Sequence, residues 1–551
     1  MISRPGLWLS LAATAASAVA PPASAQDALD RVDAVVASEG AAAAPVPGRE
    51  QRPVASNEFA WETAAESGAP IEVSAITVDG APSVPPALFL PATAPFLGRS
   101  LSAADLRALA TGVANVLRSR GYVFASAWIA PQALEHGVLR VSTDEGRIDR
   151  VRLTGDERPQ VVRTLNALTD GQPVTTARLE RALLIAGDLP GVDIRDSQYD
   201  QEDGRGVLTV YPAMRRFEAF ASLDNHGSGS AGPVRFRGRV SLNDLAFGAD
   251  QLTLRTTVTP LDPRELATLG GEYSAVLDRA GTVASLAGSL TRVRPGGRYR
   301  GFGLDSVSAS VNLGLMRPLK RSAETNLWAS ADLALRDSEQ DRAGVLVRDD
   351  RVASLSLGLN GYTLLRRGWL SGRVTVRQGL DALGATESGD PLASRRDGDG
   401  VFTKAEAFIE WSGPLLPRVG LRVAAEGQIA SRPLLSSEEF GIGGPRFGRA
   451  YEFSERRGDQ GAAALAELHY RVPGEIGPMD DVVLYTFVDG GTVGNLRSRR
   501  GGGLGSAGGG IRFDLGRVFD GELEVAAPVG RDRFETRNRD PRLSFALNAR
   551  F

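Results

Sequence analysis

After Pro212 the chain settles into segments of about ten residues in which apolar and polar residues alternate, separated by clusters of Gly, Asp, Arg and Pro. Successive side chains of a strand point to opposite faces, so this alternation gives each segment one apolar and one polar face. In 250–259, Leu252, Leu254, Thr256 and Val258 oppose Thr253, Arg255 and Thr257. Likewise Leu327, Ala329, Ala331, Leu333 and Leu335 oppose Asn326, Ser330 and Asp332, with Trp328 mixed into the polar side. Two architectures accommodate such a chain: a soluble sheet with one wet face, or a closed barrel with lipid outside and water within. Number and length discriminate between them. About sixteen such segments run from 217 to the end, an even number as bacterial barrels have. Most reach the roughly nine to eleven residues a tilted spanning strand needs, against about five or six in soluble proteins. The pattern predicts a membrane all-β fold, a sixteen-stranded antiparallel transmembrane β-barrel over 214–551, whose closure leaves no backbone edge unpaired in hydrocarbon.

The beginning of the chain reads as an export signal. Arg4, the apolar run 7–20 and Ala23-Ser24-Ala25 before Gln26 predict a signal peptide over 1–25. That run is shorter than the roughly 20 apolar residues of a spanning helix. Residues 26–40 place Leu29, Val32 and Val35 or Val36 on one side of a short amphipathic helix, and 41–70, rich in Ala, Pro and Gly, read as a linker. Between linker and barrel, 71–146 and 147–213 each run strand, helix and two closing strands, two small α+β modules with helices on one sheet face. Ser102 is a candidate cap and Gly121 a stop for the first long helix. A net charge of −3, with no block of Lys and Arg, gives no footprint for nucleic acid.

These modules carry a resemblance. Arg120-Gly121-Tyr122, Pro131-Gln132, Leu134, Gly137-Val138-Leu139-Arg140 and Glu145-Gly146 resemble the first POTRA domain of a two-partner secretion transporter. Leu189-Pro190-Gly191-Val192 is similar to the matching landmark of the second. The resemblance, to haemolysin secretion/activation proteins, covers nearly the whole mature chain. It implies an outer-membrane barrel with periplasmic POTRA domains that passes one unfolded client exoprotein, a haemolysin or adhesin, to the surface. It also implies that the POTRA sheets bind an extended client segment, that the 26–40 helix can plug the lumen, and that the terminal Phe551 signals to the barrel-assembly machinery. A barrel-assembly factor of the same superfamily and a passive diffusion porin are the rivals. Pro131-Gln132 with a count of two modules disfavours the first, and the presence of the modules disfavours the second.

A long loop over 436–461 joins the eleventh strand to the twelfth, where the resembled family carries its sixth extracellular loop. Loops of that length are uncommon unless functional or disordered. This one is punctuated by Gly441, Gly443, Gly444 and Gly448 and carries Arg446, Arg449, Arg456 and Arg457. The family's Arg-Gly-Tyr motif is matched by Arg449-Ala450-Tyr451, preceded by Gly443-Gly444 and followed by Gly458-Asp459. Ala450 departs from the family glycine, and would be strained if that position needed positive φ. A second motif, Phe-x-Asp-x-Gly, is matched by 487–491 on the thirteenth strand. The resemblance implies that Arg449 pairs with Asp489 inside the lumen, where water would lower the cost of desolvation. No catalytic, cofactor or metal site is expected: there is no cysteine, the three histidines are scattered, and the G-x-G-x-x-G at 503–508 precedes a strand-like segment rather than a helix.

Overall fold

Ser102 starts the first module's long helix, α1 (Ala103–Ser119), by a reciprocal cap: its hydroxyl accepts from the Asp105 N–H and the Asp105 carboxylate accepts from the Ser102 N–H at 2.9 Å. The same hydroxyl donates to Asp105 and holds its carboxyl below the usual range. Leu109, Val113 and Leu117 recur at four-residue spacing, so α1 presents one apolar stripe to Leu139 and Val141 of the module's three-stranded sheet. In this computed structural model the described residues are 70–551 except 230, 499–500 and 534–535, together with the short strand Ala55–Ser56. The expected signal peptide, the 26–40 helix and most of the 41–70 linker lie outside the described residues.

In the second module α2 (Pro159–Leu165) and α3 (Thr176–Gly187) cover strands Arg150–Leu153, Arg205–Met214 and Val192–Glu202. Ala55–Ser56 pairs in parallel with Ser197 and Gln198 at the sheet's edge. Phe124 of the first module stacks on Tyr199 of the second, ring centroids 3.9 Å apart, and lies in the second module's core. Burial pushes the Tyr199 hydroxyl up to about 12. The second module is seated on the barrel in turn. The Asp188 carboxylate, just beyond α3, accepts from both sides of the Arg321 guanidinium at 2.6 and 2.8 Å, and Arg158 pairs with Asp244. Arg321 also lies over the Trp328 ring at 5.2 Å, which accounts for an aromatic on the polar face of that strand.

The barrel is closed and antiparallel throughout. Its first eight strands are β1 (Phe217–Asp224), β2 (Arg235–Asn243), β3 (Asp250–Val258), β4 (Leu266–Val276), β5 (Val283–Val293), β6 (Leu304–Lys320), β7 (Thr325–Arg342) and β8 (Val345–Leu365). The others are β9 (Gly368–Leu380), β10 (Thr403–Leu416), β11 (Val419–Ala430), β12 (Gln460–Arg471), β13 (Asp481–Gly494), β14 (Gly501–Leu515), β15 (Phe519–Pro528) and β16 (Arg542–Arg550). Leu254, Leu333 and Leu543 point outward, whereas Ser241 meets Thr253 and Thr268 meets Thr291 on the buried inner face. The two longest strands, β7 with 18 residues and β8 with 21, exceed the nine to eleven expected of a spanning segment. They continue past the span as a hairpin closed by Ala343 and Gly344, both at positive φ, the tight turn that matches strand twist. Phe551 completes the closing seam: its N–H donates to the Ala219 carbonyl at 2.9 Å and its carbonyl accepts from the Ala219 N–H at 3.1 Å.

Two long connections leave the same end of the barrel: loop 5 over 381–402, between β9 and β10, and loop 6 over 431–459, between β11 and β12. Loop 6 folds back into the lumen.

Candidate functional site

Loop 6 rises as a small ribbon, Phe440–Ile442 paired with Arg456–Gly458. Its tip reverses at three glycines with positive φ: Gly443 at 113°, Gly444 at 97° and Gly448 at 83°. A Cβ on Gly443 would sit 2.3 Å from the Glu452 carbonyl, so the turn requires glycine twice over, for conformation and for space. Ala450 is fully buried and is not among the residues at positive φ. The departure from the family glycine is therefore without backbone strain; the left-handed residue lies two positions earlier, at Gly448.

The tip delivers Arg449 to the wall formed by β12 to β15. Strand register builds the receiving surface: Glu467 faces Phe487, Asp489 faces Ser506, and Tyr485 faces Gly510, which faces Glu524. Arg449 donates to Glu467 and to Glu524, each at 2.9 Å, and its Nε lies 3.3 Å from an Asp489 carboxylate oxygen. The other Asp489 oxygen accepts from the Gly448 N–H at 2.9 Å and from the Ser506 hydroxyl. One carboxylate thus binds both the tip backbone and, through charge, the tip side chain. The guanidinium also lies 4.0 Å above the Phe487 ring.

The glycines of 503–508 belong to β14, and their neighbours show why the strand is so poor in side chains. A Cβ on Gly508 would come within 2.9 Å of the Phe487 ring, and one on Gly510 within 2.6 Å of the Tyr485 hydroxyl. Only glycine lets those rings lie across the wall, one under Arg449 and the other under Arg512, at 3.9 Å. Arg512 in turn holds Glu467 through two hydrogen bonds at 2.6 and 3.1 Å, and the Tyr485 hydroxyl donates to Glu524 at 2.9 Å.

The wet setting expected for this pair is not what forms. The Arg449 side chain is 4% exposed and that of Asp489 is 0%, because Phe440, Ile442, Phe447, Ala450 and Tyr451 pack against Leu465, Val493, Leu504 and Ala526 and exclude water at this level. The ion pair bears the cost of desolvation and offsets it with multiple partners, as buried charges require. Tyr451 reaches further, its hydroxyl donating to the Arg531 carbonyl at 2.8 Å, while its own carbonyl accepts from Arg542 of β16.

Sequence reasoning singled out Arg449, Tyr451 and Asp489 and missed Glu467, Glu524, Arg512 and Tyr485. The inward phase of the alternation puts those four on the lumen side, but many lumen-facing charges share that property and only the register separates them. Asp459, a motif position in the sequence, lies elsewhere, at the base of loop 6. The POTRA landmarks shape their own modules. The Gln132 amide donates to the Arg140 carbonyl at 2.8 Å and accepts from its N–H at 3.0 Å, extending a sheet edge beside Pro131. Gly137, at φ 71°, approaches Ser74; Glu145 is buried and binds the Ser83 backbone and hydroxyl; Gly146 leaves room for Phe124. Pro190 and Gly191 line a cavity of about 510 Å³ where the second module meets the barrel, and a Cβ on Gly191 would overlap the Arg215 carbonyl.

Known proteins share this architecture. The profile of the haemolysin secretion/activation proteins ShlB/FhaC/HecB matches residues 207–513, and that of the ShlB-type POTRA domain matches 71–146. The chain is 23% identical over 394 residues to the heme/hemopexin transporter protein HuxB of Haemophilus influenzae, covering 69% of this chain and 68% of that one. It is 23% identical over 411 residues to the outer membrane transporter CdiB of Dickeya dadantii, covering 73% of each. The solved structure of CdiB from Escherichia coli superposes with a TM-score of 0.70 at 19% identity, over 97% of this chain and 100% of that one. A closed sixteen-stranded barrel behind a POTRA region, matched over more than half its length by one family, makes this chain a member of the haemolysin secretion/activation protein ShlB/FhaC/HecB family, the outer-membrane translocators of two-partner secretion.

Proposed function

We propose that the protein carries one exported partner protein, unfolded, from the periplasm through its own lumen to the cell surface, with loop 6 as the gate. The observation that carries this reading is Arg449, a single loop side chain gripped by three carboxylates of the wall inside a closed barrel. A guanidinium can leave such a grip in one motion and return to it, because its planar fork recognises carboxylates from several directions. The periplasm offers no nucleotide, so folding of the client outside supplies the drive. POTRA domains present the client to the barrel by adding an extended segment to a sheet edge. Pairing of Ala55–Ser56 along the second module's edge supports a strand docking there. The protein works as a conduit, without a catalytic residue or a cofactor.

Arg449→Ala tests the gate. Export of a partner exoprotein co-expressed with this chain is expected to fall at least tenfold while the barrel stays heat-modifiable on gels. Undiminished export would remove Arg449 from the mechanism.

A further inference from the structure

Loop 6 is held at its root as well as at its tip, and by different means. Glu438, on the turn Ser436–Glu438, places its carboxylate 3.0 Å from Lys404 of β10 and 3.0 Å from Arg377 of β9. Its carbonyl accepts from Lys404 and from Gln428 of β11, each at 3.1 Å. Asp459, fully buried where the loop rejoins the barrel, accepts from Arg395 of loop 5 at 2.6 Å. It also accepts from two backbone groups, the N–H of Leu434 and the N–H of Leu496, each at 2.8 Å. Those partners lie on loop 5, on the start of loop 6 and on the loop after β13, so one carboxylate joins three loops. Leu434 and Leu435 pack with Phe402 of loop 5 and Val352 of β8, and the Ser436 N–H donates to the Ser394 hydroxyl at 3.0 Å.

We propose that Glu438 and Asp459 are positioning residues that fix both ends of loop 6, so that opening is confined to the ribbon and tip, 440–458. The inference rests on the reading of Arg449 as the gate. Releasing the root would strand buried charges on both sides, Lys404 among them, and would break bonds that set the path of the backbone. Releasing the tip parts Arg449 from its three carboxylates and frees the Gly448 N–H and the Tyr451 hydroxyl and carbonyl from their partners, on a segment that already turns on three glycines. A fixed root also returns Arg449 to the same wall after each opening, because the ribbon swings from an unmoving base.

Single-channel recording in planar phospholipid bilayers tests this, and the chain's lack of cysteine makes it clean. S394C/S436C joins loop 5 to the root when oxidised. The oxidised protein is expected to open as often and as widely as the parent. Loss of openings on oxidation, restored by reduction, would overturn the proposal, and so would failure of the pair to oxidise. Asp459→Asn presents an amide donor to a site whose partners are all donors. Its openings are expected at the parent's frequency but lasting about tenfold longer, since the tip no longer finds its socket directly. Parental open times would overturn the proposal; if that variant does not assemble, Glu438→Gln carries the same expectation. Arg449→Ala, recorded alongside, should stand open. If it does not, the gate reading fails; if it does and the root variants behave otherwise than expected, the fixed root alone fails.

Discussion

The tip and the root of loop 6 are electrostatic inverses. The tip carries a cation, Arg449, into a wall of carboxylates; the root carries two carboxylates, Glu438 and Asp459, into a setting of Lys404, Arg377 and Arg395. They differ also in what is held. At the tip the principal bonds end on a side chain, with two backbone groups, the Gly448 N–H and the Tyr451 carbonyl, added. At the root they end on Leu434 N–H, Leu496 N–H and the carbonyls of Glu438 and Asp459, which define where the chain runs. A side chain can be exchanged between partners without moving the fold, whereas backbone bonds cannot be given up without rerouting a loop. The contrast separates a part built to let go from a part built to stay.

The largest effect should come from reversing the sign at the tip. Arg449→Glu would set a fourth carboxylate among Glu467, Asp489 and Glu524, and like charges in a dry site repel by several kcal/mol. Export is expected to be abolished and the channel to conduct continuously, with the barrel still heat-modifiable. Compensation by Asp489→Arg in the same chain should fail, because Glu467 and Glu524 still face the new carboxylate. Recovery of gating in that double variant would show that the Asp489 pair alone does the holding.

The root should answer differently. Glu438→Ala takes the shared carboxylate from Lys404 and Arg377, leaving Lys404 only the partly exposed carboxylate of Glu406 at 3.2 Å, and breaking a buried pair from one side costs about 3–5 kcal/mol. Protease cleavage within loop 5 is the readout, expected to quicken markedly in intact cells. Replacing Lys404 as well, in Lys404→Met with Glu438→Leu, removes one of the two stranded charges and leaves that of Arg377, and should return cleavage part of the way to the parental rate. A double variant as labile as the single would mean that the pair supplies more than mutual neutralisation.

How much of this was legible in the sequence depended on the range of the interaction. The barrel was visible because alternation is local: each strand announces its two faces within ten residues, and the tally from Phe217 to Phe551 follows. Arg449 and Asp489 could be named because both sit in short motifs. Glu467 and Glu524 could not, since each is one inward charge on a strand full of them, and their convergence depends on the register of four strands. The root was hidden more deeply, as Glu438 and Lys404 are 34 residues apart with two strands and a loop path between them. The dryness of the site also escaped the sequence, because it arises from the loop's own Phe440, Phe447 and Tyr451 filling a bore that alternation alone describes as wet.

Ala450 offers the finest test of the tip. It occupies the glycine position of the Arg-Gly-Tyr motif, yet the left-handed turn is made by Gly448, so the methyl group is compatible with the backbone. Ala450→Gly would remove a buried methyl, worth about 0.8 kcal/mol, and would free the backbone at a further cost of about 0.5–1 kcal/mol. Both terms weaken the tip without touching its charges or its turn. The expected result is a small rise in open probability, well below that of Arg449→Ala, with export unchanged. A large effect would mean that the Ala450 methyl, packed against Leu504 and its neighbours, holds the tip as firmly as the guanidinium does, and the division between a charged latch and a passive lining would have to be redrawn.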